Sequence, residues 1–277
     1  MASALVPPLI TLTTDFGSAD HYVGTMKGVI LSRCPHAHIV DISHEITPFS
    51  IPQAAYTISQ AVPFFPPATV HVVVVDPGVG TARRPILARV QDQYFVAPDN
   101  GVLSLVLGMQ AEVWEIANAS FRLPNTSQTF HGRDVFAPAA AMLANGLPPE
   151  DAGPKVHDAV SLPDLKPVET QGGWQGKILS VDRFGNIVTN FSVEPIIQSR
   201  FKLECAGATV SDFRHTFGEA PPGLCFAYFG SSGYLEIGMN RQSAAAHLGV
   251  LPGDNVTLRV TIDSILDSRA ADSNDRH

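Results

Sequence analysis

Charge is scarce in this sequence, and neither sign is abundant enough to name a macromolecular partner. Charged residues make up 16% of the 277, and 26 Asp and Glu against 18 Lys and Arg leave a net charge of -8. That balance excludes a general binder of nucleic acid or of anionic membrane surfaces, and mildly favours a cationic small ligand. Cysteine is nearly absent. Cys34, Cys205 and Cys225 are odd in number and widely spaced, and they match no zinc pattern. The plain reading is reduced thiols in a cytoplasmic protein. No apolar run approaches the roughly 20 residues needed to span a bilayer, and Met1–Pro8 lacks the basic and apolar regions of a signal peptide. No internal repeat or low-complexity segment is visible.

What is present is an ordinary globular composition, 45% hydrophobic over a length suited to one large or two modest domains. The densest signal is Val72-Val73-Val74-Val75-Asp76-Pro77-Gly78-Val79-Gly80-Thr81-Ala82-Arg83-Arg84. Consecutive valines suit a strand buried on both faces. The run stops at a carboxylate, and ligands in open α/β sheets bind just beyond the carboxyl ends of strands. The bland alternative is an Asp that merely starts a turn.

Strands are expected at Leu9–Thr13, His38–Ile42, Thr69–Val75, Pro85–Val90, Tyr94–Ala97 and Glu112–Ile116. Helices are expected from Ser18 or Asp20 to Ser32, over Ile51–Val62, over a short Val102–Leu107, and over Val135–Asn145. This alternation implies an α/β layered domain with a mainly parallel sheet. Periodicity is lost from Gly153 to Gly173, which carries Pro154, Pro163, Pro167 and a Gly-Gly pair. Strands then dominate: Trp174–Val181, Ile187–Phe191, Phe201–Cys205, Phe226–Phe229, Tyr234–Ile237 and Asn255–Ile262. Short strands with glycine-rich turns suggest a smaller β-barrel or sandwich. The expected organisation is an α/β domain over residues 1–165, a β domain over 173–265 and a disordered tail over 266–277.

Four polar clusters fall at element ends in the first domain: Asp15 with Asp20, Asp76 with Arg83, Asp99-Asn100, and His131 with Arg133-Asp134. A parallel sheet gathers such ends on one edge, although each is also an ordinary turn former and Asp134 suits a helix cap. A phosphate loop is a poor reading of the Asp76 turn, because Arg83-Arg84-Pro85 and a strand follow it instead of a helix. A metal site around His131 lacks the usual His and Glu spacing. In the second domain, Asp182, Phe184 and Asn186 combine an acceptor, a ring face and an amide. Gly230-Ser231-Ser232-Gly233 offers donors for a carboxylate. Both stretches read equally well as β-turns.

Taken together and in order, Thr14-Asp15-Phe16-Gly17, Asp76 through Thr81 with Arg83, Ala97-Pro98-Asp99-Asn100-Gly101, His131-Gly132-Arg133-Asp134, and Asp182 through Asn190 resemble the S-adenosyl-L-methionine hydroxide adenosyltransferases. These adenosine-forming S-adenosylmethionine hydrolases are relatives of the fluorinases and chlorinases. The match runs from Ile10 to about Ile262. The resemblance implies an α/β domain followed by a β-barrel, a homotrimer with sites shared between subunits, and attack of water or hydroxide on ribose C5′ to give adenosine and L-methionine.

It implies Asp76, Arg83 and His131 as the catalytic set; the mechanism we expect has His131 and Asp76 hold and deprotonate the water, with Arg83 fixing Asp76 and stabilising hydroxide-like charge. Asp15 would bind the ribose hydroxyls with Asp20 nearby, and Phe184 would stack near adenine. Asp182 and Asn186 would hold the methionine ammonium and Ser231 its carboxylate. No metal or organic cofactor is implied.

The halogenases carry Tyr where Asp76 stands and lack the adjacent His at His131-Gly132. Water needs a proton removed, its bulk pKa being about 15.7; a halide does not, so the sequence resembles the hydroxide branch. Ser232 stands where the fluorinase has Arg, and Met239 and Arg241 replace other contacting positions. A halogenase, or a protein that binds adenosine or S-adenosylmethionine without turning it over, are the alternatives.

Overall fold

Thr14 and Val74 lie side by side at the carboxyl edge of a sheet, and that adjacency sets where the polar turns after them are delivered. The computed structural model describes residues 7–108, 110–192 and 200–261. Leu9–Thr14 (β1), His38–Ser43 (β2) and Val70–Val74 (β3) run parallel in the order β2-β1-β3. Pro85–Val90 (β4), Gln93–Pro98 (β5), Glu112–Glu115 (β6) and Lys155–Val156 (β7) extend the sheet to β2-β1-β3-β5-β4-β6-β7. β5 is parallel to β3, and the β4-β5, β4-β6 and β6-β7 pairs are antiparallel.

The valine run is buried on both faces. Val72 and Val74 join a core with Met26, Ile30 and Phe136, while Val73 and Val75 join a second with Ile58, Ile86 and Phe95. Strand periodicity of two sends alternate residues to opposite sides, and helices cover both. Tyr22–Arg33 (α1) and the helix Ala137–Ala144 lie over the first face, and Ile51–Ala61 (α2) over the second.

Three helical expectations need correction. α1 starts at Tyr22, not at Ser18 or Asp20. Val102–Leu107 forms only successive turns; Gly101 has φ +92°, and Ser104 Oγ spends its hydrogen bond on the Gly101 carbonyl. The helix Ala137–Ala144 (α3) is preceded by a wide π-helical turn, Gly132–Phe136. Pro138 has no N–H to offer the Asp134 carbonyl, which accepts instead from the Leu123 N–H at 2.8 Å.

The chain divides into two compact units, residues 1–163 and 164–277. The second holds Val168–Thr170 (β8), Gly173–Val181 (β9), Ile187–Ser192 (β10), Arg200–Cys205 (β11), Ala208–Val210 (β12), Cys225–Phe229 (β13), Tyr234–Met239 (β14) and Asn255–Thr261 (β15). A short helix, Ala244–Leu248 (α4), precedes β15.

The order is β12-β11-β15-β9-β10-β14-β13, antiparallel throughout, with β8 paired to β9. Phe213, just after β12, bridges to Ala227 of β13, so the two ends of the sheet come together and the barrel is nearly closed. β8, β12 and α4 were not expected from sequence. Ile262 and the tail 266–277 lie outside the described residues. No helix among the described residues is long and apolar enough to cross a membrane.

Candidate active site

Asp76 follows β3 and enters a tight turn in which Val79 N–H donates to the Asp76 carbonyl at 3.2 Å and Thr81 N–H to the Gly78 carbonyl at 3.2 Å. Gly80 has φ +77°, and a Cβ there would lie 2.4 Å from the Gln128 carbonyl oxygen, so this position takes only glycine. The turn folds Arg83 back onto Asp76. Arg83 Nε donates to Asp76 Oδ1 at 2.9 Å, and Nη2 closes the pair on Oδ2. Only 8% of the Arg83 side chain and 5% of the Asp76 side chain are exposed. Removing one partner of such a pair leaves an uncompensated buried charge, at a cost of about 3–5 kcal/mol.

Arg83 Nη2 also stands 2.7 Å from His131 Nδ1. A guanidinium can only donate, so Nδ1 accepts and the proton of the neutral imidazole sits on Nε2. Burial, then the Arg83 charge, hold His131 below its ordinary value against the opposing pull of Asp76. The ring is therefore neutral near pH 7. The Phe136 ring supports the guanidinium at 5.2 Å, and Gly132 leaves room for Met26, Phe130 and Phe16 packed against it.

Asp76 and His131 line a pocket of about 250 Å³ together with Asp15, Phe16, Phe49 and Phe130. Arg83 is outside that lining and sits behind the two. Asp15 is half-buried, and its Oδ2 accepts the Phe49 N–H at 2.9 Å. Burial raises its carboxyl above the usual range, the neighbouring Asp76 adds to this, and the Phe49 N–H opposes it. Phe49 itself has φ +68° and is 70% exposed at the rim. Asp20 is exposed and outside the lining.

The other clusters have structural partners. Asp99 accepts from Arg84 Nε at 2.9 Å and from the Val160 N–H at 2.8 Å, while Asn100 Nδ2 holds the Val75 carbonyl, one residue before Asp76. Asp134 does not cap a helix N-terminus. It is fully buried, takes a bidentate bond from Arg133 and accepts the Ser127 N–H.

In the second unit, the 182–186 turn is closed on itself. Asp182 Oδ1 accepts the Phe184 and Asn186 N–H groups at 2.9 and 2.8 Å, and Oδ2 accepts Asn186 Nδ2 at 2.8 Å. Phe184 is 78% exposed and lines an open groove of about 590 Å³ with Asn186, Phe217, Met239, Arg241 and Ser243. Ser231 is exposed on the Gly230–Gly233 turn and is not part of that lining.

Sequence reasoning missed Glu236, a buried carboxyl on β14 that accepts from Tyr228 Oη at 2.5 Å and Ser232 Oγ at 3.2 Å. Burial, aided by the charge of Asp182, raises its value. Its signal was available: an acid among the apolar residues of Tyr234–Met239 is seldom buried without a partner. Phe49 had no such signal, since its φ is set by the loop.

A family model described as the SAM hydroxide adenosyltransferase N-terminal domain matches residues 10–153, and one for the C-terminal domain matches residues 176–257. Two relatives named (R)-S-adenosyl-L-methionine hydrolase are similar over most of the chain. That of Salinispora tropica is 40% identical, covering 92% of this chain and 98% of the relative. That of Thermus thermophilus is 42% identical, covering 88% and 97%. A fluorinase of Actinoplanes is 28% identical over 91% of this chain and 97% of its own. Among solved structures, an uncharacterized conserved protein from Thermotoga maritima superposes with a TM-score of 0.79 at 37% identity, covering 90% of this chain and 99% of that one.

Proposed function

The chain belongs to the S-adenosyl-L-methionine hydroxide adenosyltransferase family, and from that premise we propose that it hydrolyses S-adenosyl-L-methionine at ribose C5′ to adenosine and L-methionine. The observation that carries this reading is the buried Asp76–Arg83–His131 cluster on the wall of an open pocket. The oxygen of water bonds to C5′ as the C5′–S bond breaks, and its electron pair leaves with sulfur as a neutral thioether. The water loses one proton.

Of the two members of the cluster that line the pocket, Asp76 is the base. His131 Nδ1 is occupied by Arg83, so Nε2–H donates and orients the water oxygen. Each Asp76 oxygen keeps lone pairs free beside its bond from Arg83. This narrows the sequence expectation, in which both residues shared the deprotonation. Arg83 works from behind, fixing the two.

The sulfonium needs no acid to leave, so the demand on the protein is in-line placement of water about 3–3.5 Å from C5′ in a site closed to bulk solvent. No metal or organic cofactor enters this chemistry, and turnover in the presence of a chelator is the expected result. Asp15 takes the ribose hydroxyls, Phe184 stacks near adenine, Asp182 and Asn186 take the ammonium, and Ser231 the carboxylate. The exposure of Asp20 argues against its joining them. We retain the homotrimer as the assembly, readable from solution mass, and the cytoplasm as the compartment, which fits three free thiols.

In the relatives' name, "L" and "adenosyl" already fix every carbon centre, so "(R)" describes the sulfonium sulfur. The test is to incubate a mixture of the two sulfur epimers and follow products and epimers by chromatography. Equal amounts of adenosine and methionine from the (R) form are expected. Absence of both products would overturn the reading.

A further inference from the structure

His44 lies outside the pocket lining, yet its side chain, only 9% exposed, is tied to the turn that carries Asp15. Its placement begins with a bulge. β1 and β2 pair Leu12 with Asp41 and then Thr13 with Ser43, leaving Ile42 unmatched. A bulge re-aims side chains, and here it brings His44 to the same side as Asp41. His44 Nε2 stands 3.1 Å from Asp41 Oδ1, and Lys27 Nζ of α1 holds Asp41 Oδ2 at 2.6 Å. On its other side His44 Nδ1 is 2.8 Å from the hydroxyl of Thr14, the buried last residue of β1. That hydroxyl oxygen accepts the Phe16 N–H at 3.2 Å. The same loop donates the Phe49 N–H to Asp15, and the His44 carbonyl receives the Gly17 N–H at 2.8 Å.

Electrostatics favours one direction along this chain, although His44 Nε2 makes no aligned hydrogen bond to Asp41. Burial would raise Asp41, but Lys27 and His44 outweigh it and keep the carboxylate charged. A charged carboxylate 3.1 Å from Nε2 favours the imidazole proton on that nitrogen, which leaves Nδ1 as an acceptor. Thr14 must then give its hydroxyl proton to His44, and its oxygen is free to accept from Phe16. Each group has one role, and the Asp15–Phe16 backbone is held at the end of the sequence.

We propose that His44 is a positioning residue which, through Thr14, fixes the Asp15–Phe16 turn for recognition of the substrate's ribose. The inference rests on the function proposed above and concerns binding more than the chemical step. Asp41 and Lys27 bias the imidazole's tautomer; they do not touch the turn themselves.

The test compares adenosine affinity by calorimetry, KM and kcat with S-adenosyl-L-methionine, and thermal stability. An Asn amide oxygen stands close to the place of Nδ1, whereas Gln reaches only the Nε2 side. His44→Gln and Thr14→Val should each weaken adenosine binding and raise KM about tenfold, the scale of one lost buried hydrogen bond, with kcat within about threefold. The double variant should be no worse than either single one. His44→Asn should bind within about threefold of wild type. Thr14→Val carries the comparison if His44→Gln does not fold.

Unchanged affinity in both variants with only a fall in thermal stability overturns the inference, and so does a His44→Asn variant as weak as His44→Gln. Wild-type protein that binds no adenosine overturns the proposed function and this inference with it. Intact wild-type binding that Thr14→Val leaves unaltered overturns this inference alone.

Discussion

Asp76 carries two duties. It neutralises Arg83 in a buried pair, and in the proposed reaction its lone pairs take the proton from water. Asp76→Asn keeps the shape and one acceptor but loses the base and the charge that compensates Arg83, so a thermal-stability measurement accompanies the kinetics. A kcat lower by about 10²–10⁴-fold, with KM within a few-fold, is the expected outcome in steady-state kinetics. A KM effect without a kcat effect would remove Asp76 from the chemical step.

His131 supplies a pH signature. Its folded-state value is lowered below 6.5 by burial and by Arg83. The neutral form thus predominates at and above pH 6.5 and is lost as pH falls through the lowered value, when Nδ1 becomes a second donor facing Arg83. A kcat/KM profile should show an acid limb centred below pH 6.5. A limb centred above 6.5 would contradict this assignment. The residues of this cluster were legible in sequence because Asp76 ends a valine strand and Arg83 closes its turn. The polarity of His131 was not, since it follows from where one guanidinium nitrogen points.

The strands announce themselves by β-branched runs, and β1, β3, β5 and β14 lie within a residue or two of their expected spans. Helix starts were harder. Pro138 hides a π-helical turn within an apparently uniform alanine-rich helix, and Gly101 with Ser104 dissolves an expected one into turns. Both depend on where single carbonyl groups find donors, which periodicity does not report.

The turn between β3 and β4 is where backbone shape governs chemistry. In Gly80→Ala, the new methyl group meets the Gln128 carbonyl at a positive φ, so both strain and a clash arise. A loss of about 1–3 kcal/mol in denaturant unfolding should accompany a larger fall in kcat than in substrate affinity, because Arg83 is carried on this turn. Wild-type kcat in Gly80→Ala would show that the turn tolerates displacement.

At the scale of the whole molecule, the Pro- and Gly-rich stretch from Gly153 to Gly173 spans the point where one unit ends and the next begins. An α/β unit presents Asp15, Asp76 and His131 on one sheet edge. A nearly closed barrel presents the Asp182–Asn186 turn, with Phe184 exposed. The barrel itself was legible only as short strands with glycine turns. Its near-closure depends on Phe213 reaching Ala227, a contact between residues that no local pattern links.

The account stands on water becoming the 5′-hydroxyl of adenosine. Turnover of S-adenosyl-L-methionine in ¹⁸O-labelled water, followed by mass analysis of both products, tests this directly. One labelled oxygen in adenosine and none in methionine is the predicted result. Adenosine formed without label, or substrate recovered intact, would contradict it.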